Sequence, residues 1–186
     1  GKGSTKFDRD RFWRHAVGSA CIYRVLARKV KSVDPETAFV AGLLHDIGKL
    51  VLDQYAPEEL AKILEEAEFR KCAFVDAERV LFGTDHSAIG GWLAQKWGFP
   101  EILMTWVRDH HTAGLEAQQP TIAISVFADY LCKVKGIAAS GSHEPALLNK
   151  EAWACLKLDK ADLPPIIQEV NEEIKLADDM LAVGMS

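Results

Sequence analysis

Residues 34–50 read DPETAFVAGLLHDIGKL. Asp34 followed by Pro35 and Glu36 is a helix start, with the carboxylate as cap and the proline in the first turn, where its missing N–H is no loss. Residues 37–44 (TAFVAGLL) then carry no charge on any face, which predicts a central, buried helix. Directly after this run stand His45 and Asp46. A carboxylate or an unpaired imidazole is costly in such surroundings unless something pairs with it. Gly48 predicts the interruption or end of the helix.

Outward from this segment the helical period continues. Phe12, Ala16 and Ala20, with Trp13 and Val17, recur at four-residue spacing and mark an amphipathic helix over 8–31. Pro57-Glu58-Glu59 opens a more polar helix reaching Arg70, and 75–81 is a short one. Thr84 is placed to cap a helix to Trp97, closed by Gly98. Pro100-Glu101 starts the next, to His111, and Pro120 starts another, through Val134, ended by Gly136. Residues 136–145 (GIAASGSHEP) read as a loop, followed by helices over 151–156 and 162–181. No alternating strand pattern or internal repeat occurs. The reading is all-α: a single domain over 1–186, its last helices packed on the main bundle.

With 48% apolar and 26% charged residues, the 186-residue chain has the composition of a domain able to bury a core. Its 22 Lys+Arg against 27 Asp+Glu give a formal net charge of -5, which argues against a general nucleic-acid or anionic-membrane binder. No apolar run has the length of a transmembrane helix, and the polar start GKGSTK is no signal peptide. The chain begins with Gly rather than Met, which reads either as a piece of a longer protein or as a trimmed chain. Cys21, Cys72, Cys132 and Cys155 form no CxxC pair, and read as small buried thiols in a reducing cytoplasm.

The informative residues are ionisable ones within apolar helices. Asp129 is the only charged residue in 121–132 (TIAISVFADYLC). His15 has small neighbours at Gly18 and Ser19, and His86 has Gly90 four residues on, spacings that leave room beside each imidazole. His110-His111 closes a helix containing Ile102, Leu103 and Trp106. Singly, each histidine reads as a hydrogen-bonded core residue. A shared bound cation accounts for all of them together, two ions bridged by a carboxylate neutralising the buried charge. Imidazole and carboxylate without thiolate suit Fe, Mn, Zn, Ni or Co better than Ca.

His15, then His45-Asp46 thirty residues later, then Asp129 resembles the H…HD…D signature of the HD metal-dependent phosphohydrolase superfamily. Phe12-Trp13-Arg14-His15, residues 41–50 (AGLLHDIGKL), Gly83-Thr84-Asp85-His86 with Gly90, Trp97-Gly98-Phe99-Pro100, His110-His111 and Ala128-Asp129 look like an HDOD domain, the HD-related output domain of bacterial signalling proteins. The likeness runs from Phe12 to the last helix and implies an HD-domain-like helical bundle, with residues 1–7 a disordered start and the usual upstream helical half absent. The ligand set is similar to that of the HD-GYP phosphodiesterases. That resemblance implies that Asp46 bridges two divalent metals, iron first in expectation. His15, His45 and Asp129 complete one site, and His86, His110 and His111 the other. Arg11 stands where three-metal members carry Glu, which implies two metals. His111 leads into Thr112-Ala113-Gly114-Leu115 without a GYP segment, against cyclic di-GMP as substrate.

Lys49, on the face of His45 and Asp46, is placed either to reach a phosphate oxygen beside the catalytic candidate Asp46 or to favour a helix C-terminus. Asp85 and Asp109, each next to a ligand candidate, read first as helix-start and solvent-facing charges and second as imidazole-orienting groups. His143 reads as exposed. Three functions follow: a cytoplasmic bacterial signal-transduction domain with a two-metal site, acting through other signalling domains or proteins; a metal-dependent phosphohydrolase or phosphodiesterase on a phosphorylated small molecule or nucleotide; and a metal-free helical interaction module. No nucleic acid or membrane is expected as a partner.

Overall fold

The computed structural model describes residues 7–31, 33–112, 119–137, 141, 143 and 146–184, the side chains of the last helix only to Asp179. Ten α-helices and no strand occur among them: Arg9–Val30 (α1), Pro35–Leu44 (α2), Ile47–Tyr55 (α3), Pro57–Arg70 (α4), Phe74–Phe82 (α5), His86–Lys96 (α6), Glu101–Asp109 (α7), Pro120–Val134 (α8), Lys150–Leu156 (α9) and Leu163–Gly184 (α10). None of the described helices is long and apolar enough to cross a membrane.

Local chemistry sets most boundaries. The Asp8 carboxylate accepts from the Arg11 N–H at 2.8 Å to open α1, and Asp34 accepts from the Thr37 N–H at 2.7 Å to open α2. Asp85, not Thr84, caps α6, accepting from the Ala88 N–H at 3.0 Å. Prolines stand in the first turns of α2, α4 and α8. Of the expected loop over 136–145, positions 138–140, 142, 144 and 145 lie outside the described residues, as do 1–6 of the expected disordered start. Phe7, also assigned to that start, is instead buried against Phe12 with ring centroids 5.7 Å apart.

Two apolar clusters hold the helices. In the larger, Ile22 and Leu26 of α1, Trp106 of α7, Ile124 and Phe127 of α8 and Ile166 of α10 pack together, so the last helices close on the main bundle. The smaller joins Phe7 and Phe12 to Leu60, Ile63 and Ala67 of α4 and Phe74 of α5. Each such side chain taken from water contributes roughly 1.5–3 kcal/mol. Among the cysteines only Cys21 and Cys132 are fully buried; Cys72 and Cys155 are partly exposed, and all four are free thiols.

Residues 37–44 are less enclosed than their lack of charge predicts. Ala38, Ala41 and Gly42 are covered, but Val40 is 40% exposed. The helix also breaks earlier than expected. The chain turns at His45 and Asp46, and Gly48 lies inside the first turn of α3. Gly48 is there for contact rather than for termination: a Cβ on it would stand 1.9 Å from the His86 carbonyl oxygen. The α3–α6 approach, and with it the distance from Asp46 to His86, depends on that missing methyl. Gly48→Ala therefore costs about 3 kcal/mol of stability, the upper end for overpacking, measured by urea unfolding. A variant of unchanged stability would show that α6 yields freely.

Candidate metal centre

The break between α2 and α3 turns His45 and Asp46 inward, and α1, α6 and the end of α7 bring four more imidazoles to the same place. Asp46 is 1% exposed. Its Oδ1 lies 3.0 Å from His86 Nε2 and 3.5 Å from His110 Nε2. Its Oδ2 lies 3.6 Å from the Nε2 of both His15 and His45. His111 Nε2 lies 3.0 Å from His86 Nε2. Two groups of ligand atoms, each within 4.8 Å, are found among the described residues: Asp46 with His86, His110 and His111, and Asp46 with His15 and His45. They share Asp46.

The far nitrogens determine the chemistry of the near ones. His15 Nδ1 donates to the Ile137 carbonyl at 2.9 Å, His45 Nδ1 to Gly42 at 2.8 Å, and His110 Nδ1 to Val107 at 2.9 Å. A carbonyl only accepts, so Nδ1 carries the hydrogen in each and a neutral ring presents its Nε2 lone pair inward. The Nε2 atoms of His15 and His45 are 3.2 Å apart, and those of His86 and His110 are 3.3 Å apart. Lone pairs at that separation repel unless a proton or cation stands between them. Gly18 contributes indirectly: a Cβ there would meet the Ile137 side chain at 2.5 Å, so its absence admits the residue whose carbonyl holds His15.

Sequence reasoning missed Glu78. This α5 side chain is 1% exposed, and both its oxygens engage His86: Oε1 accepts from the backbone N–H at 2.9 Å and Oε2 lies 2.5 Å from Nδ1. The signal was present, since Glu78 falls four residues after Phe74 and three after Val75, on the buried face of its helix.

Lys49 is also buried, in the first turn of α3, with Nζ 2.7 Å from Asp46 Oδ2. That position removes the helix-C-terminus reading of this lysine. Asp129 is not the buried charge expected. Its side chain is 48% exposed and paired to Lys133 at 2.7 Å, outside the close ligand group, although it lines the cavity that opens onto Asp46. That cavity has a volume of about 190 Å³, with Lys49, Phe74, Val126, Lys133 and Asn149 also in its wall. Asp85 is a helix cap paired with Arg79, Asp109 pairs with its neighbour Arg108, and the exposed His143 pairs with Glu68.

Burial lowers the pKa of His15, and those of His45 and His111 fall well below the ordinary imidazole range for the same reason. Burial opposes ionisation of Asp46 too, but Lys49 and His45 outweigh it and hold its carboxyl well below the usual range. For His86, burial and Lys49 work against a proton while Glu78 and Asp46 outweigh them, raising its pKa. The donor set is thus imidazole nitrogens facing an ionised carboxylate, with His15, His45 and His110 fixed in tautomer by backbone carbonyls. Inward imidazoles and a carboxylate are the donors that bind a borderline transition-metal ion, and the residues present fit one.

The HDOD domain profile matches residues 1–113. A protein of uncharacterised role from Treponema pallidum (strain Nichols) is 28% identical over 129 residues, 68% of this chain and 25% of its own length. A crystal structure of an HDOD domain protein of unknown function from Geobacter sulfurreducens superposes with a TM-score of 0.77 at 27% identity, covering 92% of this chain and 64% of that one. A structure from Shewanella amazonensis SB2B, provisionally titled a phosphohydrolase, reaches a TM-score of 0.58 at 22% identity, over 92% of this chain and 66% of its own, and shares the fold alone. The chain thus spans a quarter of its Treponema relative and under two thirds of the Geobacter structure.

The direction of each shift gives a pH dependence. His15, His45 and His111 hold protons less well folded than unfolded, so the unfolded chain gains protons first as the pH drops through the ordinary value of 6.5. Their contribution to stability is present above that value and is lost on acidification. His86 runs oppositely, contributing below 6.5 and losing its contribution as the pH rises. With three groups against one, the Tm of chelator-treated protein falls by several degrees from about pH 7.5 to about pH 5. A Tm that rises over this interval would mean that the imidazoles are charged in the folded chain.

Proposed function

We propose, from the premise that this chain belongs to the HDOD domain family, that it is a cytoplasmic bacterial signal-transduction domain whose bundle holds two divalent transition-metal ions bridged by Asp46. One observation carries this reading: two buried pairs of inward-facing Nε2 atoms, at 3.2 and 3.3 Å, lie on opposite oxygens of one ionised carboxylate. His15 and His45, with Asp129 from the cavity wall, would hold one ion; His86, His110 and His111 would hold the other. Iron is the first expectation, with Mn, Zn, Ni and Co as substitutes. Such ions supply Lewis acidity toward phosphoryl oxygens.

The chain's own residues shape the adjoining cavity for a phosphorylated small molecule or nucleotide. Lys49 and Lys133 set two cations on its wall, and Phe74 and Val126 add apolar surface to it. Partners on the output side are other signalling domains or proteins. A second reading, metal-dependent phosphohydrolysis, is favoured by Lys49: its ammonium is buried at the bridging carboxylate and faces the same cavity. In that reading Asp46 and Lys49 are the catalytic pair, Asp46 positioning the charge that polarises the phosphoryl group and Lys49 neutralising a phosphate oxygen.

Elemental analysis of protein purified without chelator is the direct test. About two transition-metal ions per chain, absent from Asp46→Ala, are expected. A folded protein that takes up no added Fe, Mn or Zn would overturn the reading. In a phosphoester panel with metal-loaded protein, turnover lowered at least about tenfold in Lys49→Ala would establish the second reading; none across the panel would remove it.

A further inference from the structure

The two halves of the cluster are built unequally. On the Oδ1 side of Asp46, three imidazoles converge, and His86 is backed by Glu78, a carboxylate whose two oxygens both engage His86. A buried carboxylate is costly without a counter-charge, and behind an imidazole it strengthens that ring as a donor to a cation. Phe74 packs on the His86 ring with centroids 5.6 Å apart, and His86 is fully buried. On the Oδ2 side, the far nitrogens of His15 and His45 meet only neutral carbonyls, of Ile137 and Gly42. A resident cation stands there already: Lys49 Nζ is 2.7 Å from Oδ2 and repels a second positive charge at that oxygen. The nearby carboxylate, Asp129, is held by Lys133.

We infer that Glu78 is a positioning residue that makes the His86/His110/His111 half the tight metal site, filled first, and that Lys49 and Lys133 leave the His15/His45 half weak and exchangeable. The inference rests on the metal-binding reading and goes beyond it by assigning an order of filling and the residues that set it. Three features act in the same direction: a buried negative charge behind one half, an ammonium on the shared carboxylate at the other, and a second ammonium on the carboxylate at its rim. None lies among the metal ligands of the tight half, so each can be changed while those ligands stay in place.

The experiment is calorimetric titration of the metal-free protein with Mn²⁺ at about pH 8, above the ordinary imidazole range, with elemental analysis after desalting. Two resolved steps are expected, and a desalted protein that keeps the first ion and loses the second. Glu78→Gln, which keeps the size and one hydrogen bond, weakens the first step by about 10–100-fold. His15→Ala removes the second step and leaves the first. Lys49→Met strengthens the second and narrows the gap. Far-ultraviolet circular dichroism on each variant, and a His86→Ala control that removes the first step outright, separate loss of affinity from loss of fold. Two ions bound with one common affinity would overturn the inference while leaving the metal-binding reading intact, as would a first step unchanged in Glu78→Gln or abolished in His15→Ala. No uptake by any variant would overturn both.

Discussion

The structure depends on one ionised carboxylate that is almost wholly buried. Asp46 sits at the turn between two helices, with five imidazoles and an ammonium as its surroundings. An isolated charge in that position would be prohibitively costly, and the cost is met by positive or polarisable partners on both oxygens. This makes the bundle convergent. The first and sixth helices and the end of the seventh must all approach the second–third helix junction closely enough to present a ring nitrogen to the same few ångströms. The apolar clusters supply the driving force for helix packing, but they do not choose this meeting point.

Backbone groups do much of the choosing. Three of the histidines are locked by carbonyls, so their tautomers follow from the course of the main chain rather than from other side chains. For His45 and His110 the carbonyl lies three residues back, in the last turn of the preceding helix, and the orientation is local. For His15 it belongs to Ile137, 122 residues on in the chain, so one ring is set by the connection after the eighth helix. His86 differs from all of these in answering to a carboxylate. Part of the electrostatic inequality of the two halves therefore originates in the fifth helix, which supplies none of the proposed ligands.

Much of this was legible beforehand. The helical period, the aspartate caps and the prolines at first turns placed most of the helices closely, because those signals act within one or two turns of chain; the third, Ile47–Tyr55, was not among them, since no side-chain cap or proline marks its start. The run from residue 37 to 44 correctly pointed to the His45-Asp46 pair, since two ionisable groups following an uncharged helix demand partners. Its full burial did not follow: an absence of charge permits enclosure but does not supply neighbours, and Val40 remains partly in solvent. Asp129 shows the converse, a lone acid in an apolar stretch whose partner, Lys133, stands one turn on and lets it reach the surface. The one-residue error at the sixth-helix cap, Thr84 for Asp85, is a competition between two adjacent residues able to cap.

By itself the sequence determined the all-α class, the order of most of the helices and a set of ionisable candidates within apolar segments, because period, capping and residue type are properties of short segments. Only the tertiary structure decided that Asp46 is shared between two groups, that Lys49 is buried against it, that Asp129 stands outside the close group and that Glu78 backs His86. These are distances between segments far apart in the chain. They follow from how closely helices approach, as at Gly48 against the His86 carbonyl, and no local pattern encodes a separation of a few ångströms across the bundle.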